Sequence, residues 1–199
     1  MRRRRASWAR RVEARLLPHL VRRFLGSVLP AGPDQAAESW ALAHLTDGEA
    51  RLWRRMSGPD RRHGVAVARR VRAALGVGRR EVDALHVATG REVDRALTAA
   101  ALLHDVGKVE SGLGTWGRVP ATLAILGLGR DRVEAWAARS GPLGRAGRYA
   151  RHPVLGGLLL AGAGSDRLTV AWAAEHHLPA ERWTVEREVG GVLKAADHD

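Results

Sequence analysis

The chain has 199 residues, 45% of them apolar and 27% charged, enough for one well-buried domain with a short appendage. It contains no cysteine, so disulfides and thiolate metal sites are excluded and any metal must be held by histidine and carboxylate side chains. The net charge of +12 is concentrated at one end: residues 1–25 hold nine Arg and one Glu, and the rest of the chain adds only +4, a poor footprint for a nucleic-acid-binding domain.

Arg outnumbers Lys 31 to 2. A binding requirement would not reject lysine everywhere, so the bias reads as genomic base composition, and the two lysines that remain, Lys108 and Lys194, stand out. The longest apolar stretches, residues 119–129 and 154–164, are too short to cross a bilayer. No cleavable apolar core follows the Arg run, so the expected location is cytoplasmic.

Period-two alternation is scarce, while Ala and Leu recur at three- and four-residue spacing, which predicts an all-α chain. Residues 1–33 read as a basic N-terminal helix and linker, and residues 34–199 as one domain. In the first segment Trp8, Val12, Leu16, Leu20 and Phe24 form one stripe over 6–29, with a kink at Pro18. Helices are predicted at 34–45, 48–57 and 60–75, then a turn, a short helix over 80–87 and a strong one over 91–105. Residues 109–118 read as a Gly-containing loop. Further helices fit 119–127, 130–139, 152–163, 166–177 and 185–197.

The histidines fall on these helices in a pattern. His104 lies on the apolar stripe of Leu97, Ala100 and Ala101, and His63 shares a face with Ala66, Val67 and Val71. His152 leads the stripe of Leu155, Leu159 and Leu160. His176 and His177 close a helix after Val170, Trp172 and Ala173, and Asp197 follows Val189 and Leu193. A single histidine on an apolar face is most often a hydrogen-bonded core residue. Five helices each turning an imidazole or carboxylate inward is another matter, because burying that many polar groups without a cation is strongly unfavourable. Histidine with carboxylate and no thiolate suits two divalent transition metals, with iron or manganese favoured and zinc allowed. His104 and Asp105 differ by roughly 100° around a helix, so Asp105 can bridge two ions while His104 binds one.

The segment Ala101-Leu-Leu-His-Asp-Val-Gly-Lys108 resembles the signature of the HD-domain metal-dependent phosphohydrolase superfamily. The flanking pieces follow in order: His63 on an early helix, His152-Pro-Val-Leu-Gly-Gly157, Glu175-His-His-Leu178 and Lys194-Ala-Ala-Asp197. Over residues 60–199 this order is similar to the binuclear subgroup, which includes the HD-GYP phosphodiesterases and the HD-type diadenosine tetraphosphate hydrolases. The resemblance implies an HD-domain helical bundle. It implies one metal on His63, His104, Asp105 and Asp197, and another on Asp105, His152 and His176 or His177. It further implies a metal-activated water as nucleophile, with Asp105 and Lys108 in the catalytic machinery and a nucleotide or other phosphorylated small molecule as substrate. Two features differ from relatives: Leu178-Pro-Ala-Glu-Arg-Trp183 replaces the Gly-Tyr-Pro segment, and Pro59 stands where trinuclear members carry Glu.

His19, His44, His86 and His198 fall outside the ordered set and read as surface or packing residues. Trp40, Trp53, Trp136 and Trp172 read as core, and Trp116 and Trp183 also read as packing rather than as a nucleotide pocket. Glu110 and Arg118 flank the site loop as candidate substrate contacts, with a solvated loop as the plain reading. The basic N-terminus reads first as a docking or extension segment and second as a contact for anionic membrane or RNA. Two other functions compete with hydrolysis: an HD-fold di-iron oxygenase, and a non-catalytic nucleotide- or RNA-binding HD protein.

Overall fold

Helix starts in this chain are marked by side chains that satisfy the free N–H groups of the first turn. Asp34 accepts from Ala37 N at 2.7 Å and opens α1, Gln35–Leu42. Thr46 and Glu49 form a reciprocal capping box at the start of α2, Asp47–Arg55. The structure, a computed structural model, describes residues 31–78 and 87–198. The expectations for the N-terminal helix, for the short helix over 80–87, and for His19 and His86 lie outside the described residues.

After α2 come α3, Gly58–Gly78, and α4, Val87–Leu103. A 3-10 segment, Val106–Ser111, follows and leads to α5, Thr115–Leu128, α6, Arg130–Glu134, and α7, Gly141–Ala150. The chain closes with α8, His152–Gly162, α9, Arg167–Glu175, a 3-10 turn at Ala180–Arg182, and α10, Arg187–His198. The fold is all-α, and no strand occurs among the described residues. No helix there is long and apolar enough to cross a membrane.

Three departures from the sequence reading have local causes. The helix expected over 91–105 ends at Leu103, so His104 and Asp105 lie in the turn beyond it, and the chain tightens into the 3-10 segment. The loop expected over 109–118 is mostly ordered, because α5 begins at Thr115 with Pro120 on its exposed side, where the missing N–H costs least. The helix α7 was not expected at all, since its sequence is rich in glycine. Two of those glycines let it lie against the preceding turn: a Cβ on Gly147 would stand 2.3 Å from Ala137 N, and one on Gly144 would stand 1.7 Å from Arg139 O.

The core runs through Leu52, Trp53, Val67, Val71, Leu97, Leu102, Leu103, Leu160, Trp172 and Leu193, drawn from α2, α3, α4, α8, α9 and α10. Each fully buried leucine contributes roughly 1.5–3 kcal/mol by leaving water. Trp53 and Trp172 are buried as expected, whereas Trp40 and Trp136 are half-buried. Trp183 packs edge-on against Trp172 at 5.5 Å. Trp116 is 69% exposed and stands outside the core.

Candidate metal centre

The helices that carry the candidate ligands are neighbours: α3 packs on α4 and α10, α9 packs on α4 and α8, and the 3-10 segment packs on α8. Two glycines next to the ligands allow the backbones to approach closely. A Cβ on Gly64 would meet Leu102 O at 2.5 Å, and one on Gly107 would meet His152 O at 1.9 Å and Gly156 N at 2.5 Å. Hydrogen in place of a side chain therefore sets the distance from His63 to His104 and from Asp105 to His152.

Every residue of the ordered set arrives at one place. Asp105 stands in the middle, with Oδ1 3.3 Å from His152 Nε2 and 3.8 Å from His176 Nε2, and Oδ2 3.5 Å from His104 Nε2. Asp197 Oδ1 lies 2.9 Å from His63 Nε2 and 3.5 Å from His104 Nε2. Two clusters of three ligand atoms result, His63, His104 and Asp105 in one and His152, His176 and His177 in the other, each spanning no more than 4.8 Å. The rings of His104 and His176 link the clusters at 5.2 Å between centroids. His176 is buried at the centre, while His177 is exposed, with its ring 5.1 Å from that of His152.

Three imidazoles are held in the same way. His104 Nδ1 donates to Ala101 O at 2.9 Å, His152 Nδ1 to Tyr149 O at 2.8 Å, and His176 Nδ1 to Ala173 O at 2.9 Å. A carbonyl can only accept, so Nδ1 carries a proton in each ring, and it is Nε2 that faces inward, with a lone pair to offer whenever the ring is neutral. All three Nε2 atoms are buried and have no hydrogen-bond partner among the described residues. A buried polar atom without a partner is rare and costly, and a cation between these nitrogens and the Asp105 carboxylate would satisfy all of them.

Comparison with family models, curated proteins and solved structures finds no match.

Charge inside the site divides sharply. Burial opposes ionisation of Asp105, but Lys108 and His104 outweigh it and hold its carboxyl well below the usual range. Asp197 behaves likewise: burial raises its pKa, the imidazoles of His104 and His63 lower it, and the lowering wins. His176 is driven well down by burial and by His177, His104 and His152, so it stays neutral. Burial also lowers His152. The ring of His177 is lowered in the same direction by desolvation of its inner edge against the site and by His152 beside it, while its outer side stays exposed. His104 moves the other way, because Asp105 and Asp197 outweigh its burial. Two ionised carboxylates beside the neutral imidazoles of His152 and His176 form the kind of donor set that a hard or borderline divalent ion requires.

Beside this set lies a charged network the sequence reading missed. Lys108 Nζ sits 2.5 Å from Asp105 Oδ2 and 3.9 Å from Asp60 Oδ1, and Arg118 donates to Asp60 Oδ1 at 2.7 Å. Asp60 also accepts from Ser57 Oγ at 2.6 Å. In the sequence Asp60 reads as an ordinary first-turn acid of α3, and the singularity of Lys108 was the only pointer to the network. Arg118 is thus an Asp60 partner, and Glu110 pairs with Arg55 at 2.8 Å. His44 bonds Trp40 O and Arg72, which fits its packing role, and His198 is exposed. The second lysine, Lys194, donates to His176 O and so ties α10 to the end of α9. Glu175 anchors the same corner by accepting from Thr184 N at 2.7 Å and Thr184 Oγ1 at 2.5 Å.

Proposed function

We propose that this chain is a metal-dependent phosphohydrolase of the HD-domain type, acting on a phosphoester or phosphoanhydride of a nucleotide or similar small molecule. The observation that carries the reading is the triad of buried, partnerless Nε2 atoms around an ionised Asp105. No arrangement of core packing needs three such nitrogens, and their order along the chain is that of the binuclear subgroup.

His63, His104 and Asp197 would hold one ion, His152 and His176 with His177 the other, and Asp105 would serve both. Bound there, two divalent ions of iron, manganese or zinc supply Lewis acidity and a water ionised near neutral pH. The chain's own residues then have distinct tasks. The Nδ1–H bonds to Ala101, Tyr149 and Ala173 keep the three rings in one tautomer and orientation. Lys108, held between Asp105 and Asp60, brings a half-buried positive charge to the edge of the site, where a phosphoryl oxygen gains negative charge in the transition state. Asp60 and Arg118 restrict where that ammonium can go.

The test is a panel of mononucleotides, dinucleoside polyphosphates and simple phosphodiesters offered to protein loaded with Mn or Fe. The expected result is metal-dependent release of phosphate or nucleotide from at least one of them, lost in Asp105→Ala. Iron-dependent oxygen consumption without phosphoester turnover would instead identify an oxygenase, and metal binding without turnover would identify a binding protein.

A further inference from the structure

The outward face of α5 is built the wrong way round for a helix bathed in water. Trp116, Val119, Pro120, Leu123, Leu126 and Gly127 fall on one stripe at helical spacing, and that stripe points away from the core. Trp116 is 69% exposed, Leu123 63% and Leu126 66%, whereas Ala121 on the opposite side is buried. Scattered exposed leucines need no explanation, but an apolar stripe along the whole of a helix about 21 Å long does.

The surroundings say what kind of partner covers it. Residues 115–151 carry seven Arg against Asp131 and Glu134 alone, while residues 26–114 and 152–199 together are nearly neutral. Arg132 on α6 and Arg145 on α7 are exposed, and both helices pack on α5; Arg139 and Arg151, exposed as well, lie in the turns just before and after α7. A second copy of the chain would set this basic region against itself, and the Arg-rich segment 1–25 would meet the same repulsion. An anionic partner fits the charge. Among anionic partners, a nucleic acid has no use for a stripe of leucine, whereas a lipid surface takes both the leucines and the flanking guanidinium groups, with a tryptophan at the end of the stripe.

We infer that α5 is a docking helix for an anionic lipid surface, lying in the headgroup layer with Trp116, Leu123 and Leu126 facing the acyl chains. This is a different surface from residues 1–25, and it does not depend on the phosphohydrolase reading.

The experiment is co-sedimentation of the full chain with vesicles of phosphatidylcholine alone and of phosphatidylcholine mixed with phosphatidylserine, at low and high salt. Full-length protein is expected to sediment with the anionic vesicles and not with the neutral ones. The double substitution Leu123→Asp with Leu126→Asp should weaken that binding on the order of tenfold or more. Both positions are exposed, so circular dichroism should be unchanged. Replacing Arg2, Arg3, Arg4 and Arg5 by Ser should leave most of the binding in place. As an independent readout, anionic vesicles should shift tryptophan emission to the blue in the full chain, and Trp116→Phe should remove most of that shift. The inference is overturned if full-length protein ignores anionic vesicles, or if the aspartate variant binds them as well as the parent. It also fails if the aspartate variant turns a dimer into a monomer, which would make the stripe a subunit contact.

Discussion

His63 Nε2 and Asp197 Oδ1 stand 2.9 Å apart although 134 positions separate them in the chain. The contact joins α3 to α10 and brings the last candidate ligand to the first. Asp197 also approaches His104 at 3.5 Å, so one buried carboxylate serves two imidazoles. Replacing it with alanine in chelator-treated protein should cost about 1–3 kcal/mol, because His63 Nε2 loses its hydrogen-bond partner and His104 loses a nearby negative charge. Urea unfolding measures this, and an unchanged midpoint would mean that the contact contributes nothing.

Gly107→Ala should be more disruptive than its size suggests. Its Cβ would lie 1.9 Å from His152 O and 2.5 Å from Gly156 N, both backbone atoms, so α8 must move. The expected loss is about 1–3 kcal/mol, together with weaker metal binding as His152 is carried away from Asp105. A wild-type thermal midpoint would show that the packing of the 3-10 segment on α8 is looser than the geometry implies.

These two contacts mark what the sequence could and could not reveal. The convergence of the candidate residues was legible because each histidine falls on a periodic apolar stripe, and burial at those positions is predictable from Leu97, Ala100 and Leu160 and their like. The all-α class followed from the same periodicity. That Asp105 faces both clusters agrees with the expectation from helix angles, yet His104 and Asp105 lie beyond the helix end, where close approach to α8 sets the backbone instead. Asp60 was not legible, because its partners Arg118 and Lys108 lie 58 and 48 positions away and only the fold unites them. The helix α7 was hidden by glycines whose purpose is tertiary.

Lys108→Ala should retain the metals but slow turnover at least about tenfold, mainly in kcat, since a half-buried cation beside the reacting oxygens acts most strongly on the transition state. Steady-state kinetics on whichever phosphoester the panel identifies will decide. An unchanged kcat would reduce Lys108 to a counter-ion for Asp105 and Asp60.

Stability of chelator-treated protein should fall as pH drops below about 6.5. His152 and His176 have lowered pKa values in the folded protein, so on acidification the unfolded chain takes up protons that the folded chain refuses. Their contribution is complete above the unfolded value and is lost below it, at about 1.4 kcal/mol per pH unit for a buried group such as His176. His104, whose pKa is raised, is charged in both states in that range and adds no slope there. Urea titrations at pH 7, 6 and 5 should therefore give descending midpoints, and a flat or rising series would show that the imidazoles are not buried neutral.

Metal content tests the central claim most directly, because Asp105 faces both ligand clusters through its two oxygens. Protein reconstituted with Mn or Fe and freed of excess should carry about two ions per chain by elemental analysis, as expected for a binuclear site. Asp105→Ala should carry almost none, and His44→Ala, which changes a residue outside the site, should match the parent. Full occupancy in Asp105→Ala, or no retained metal in the parent, would contradict the account.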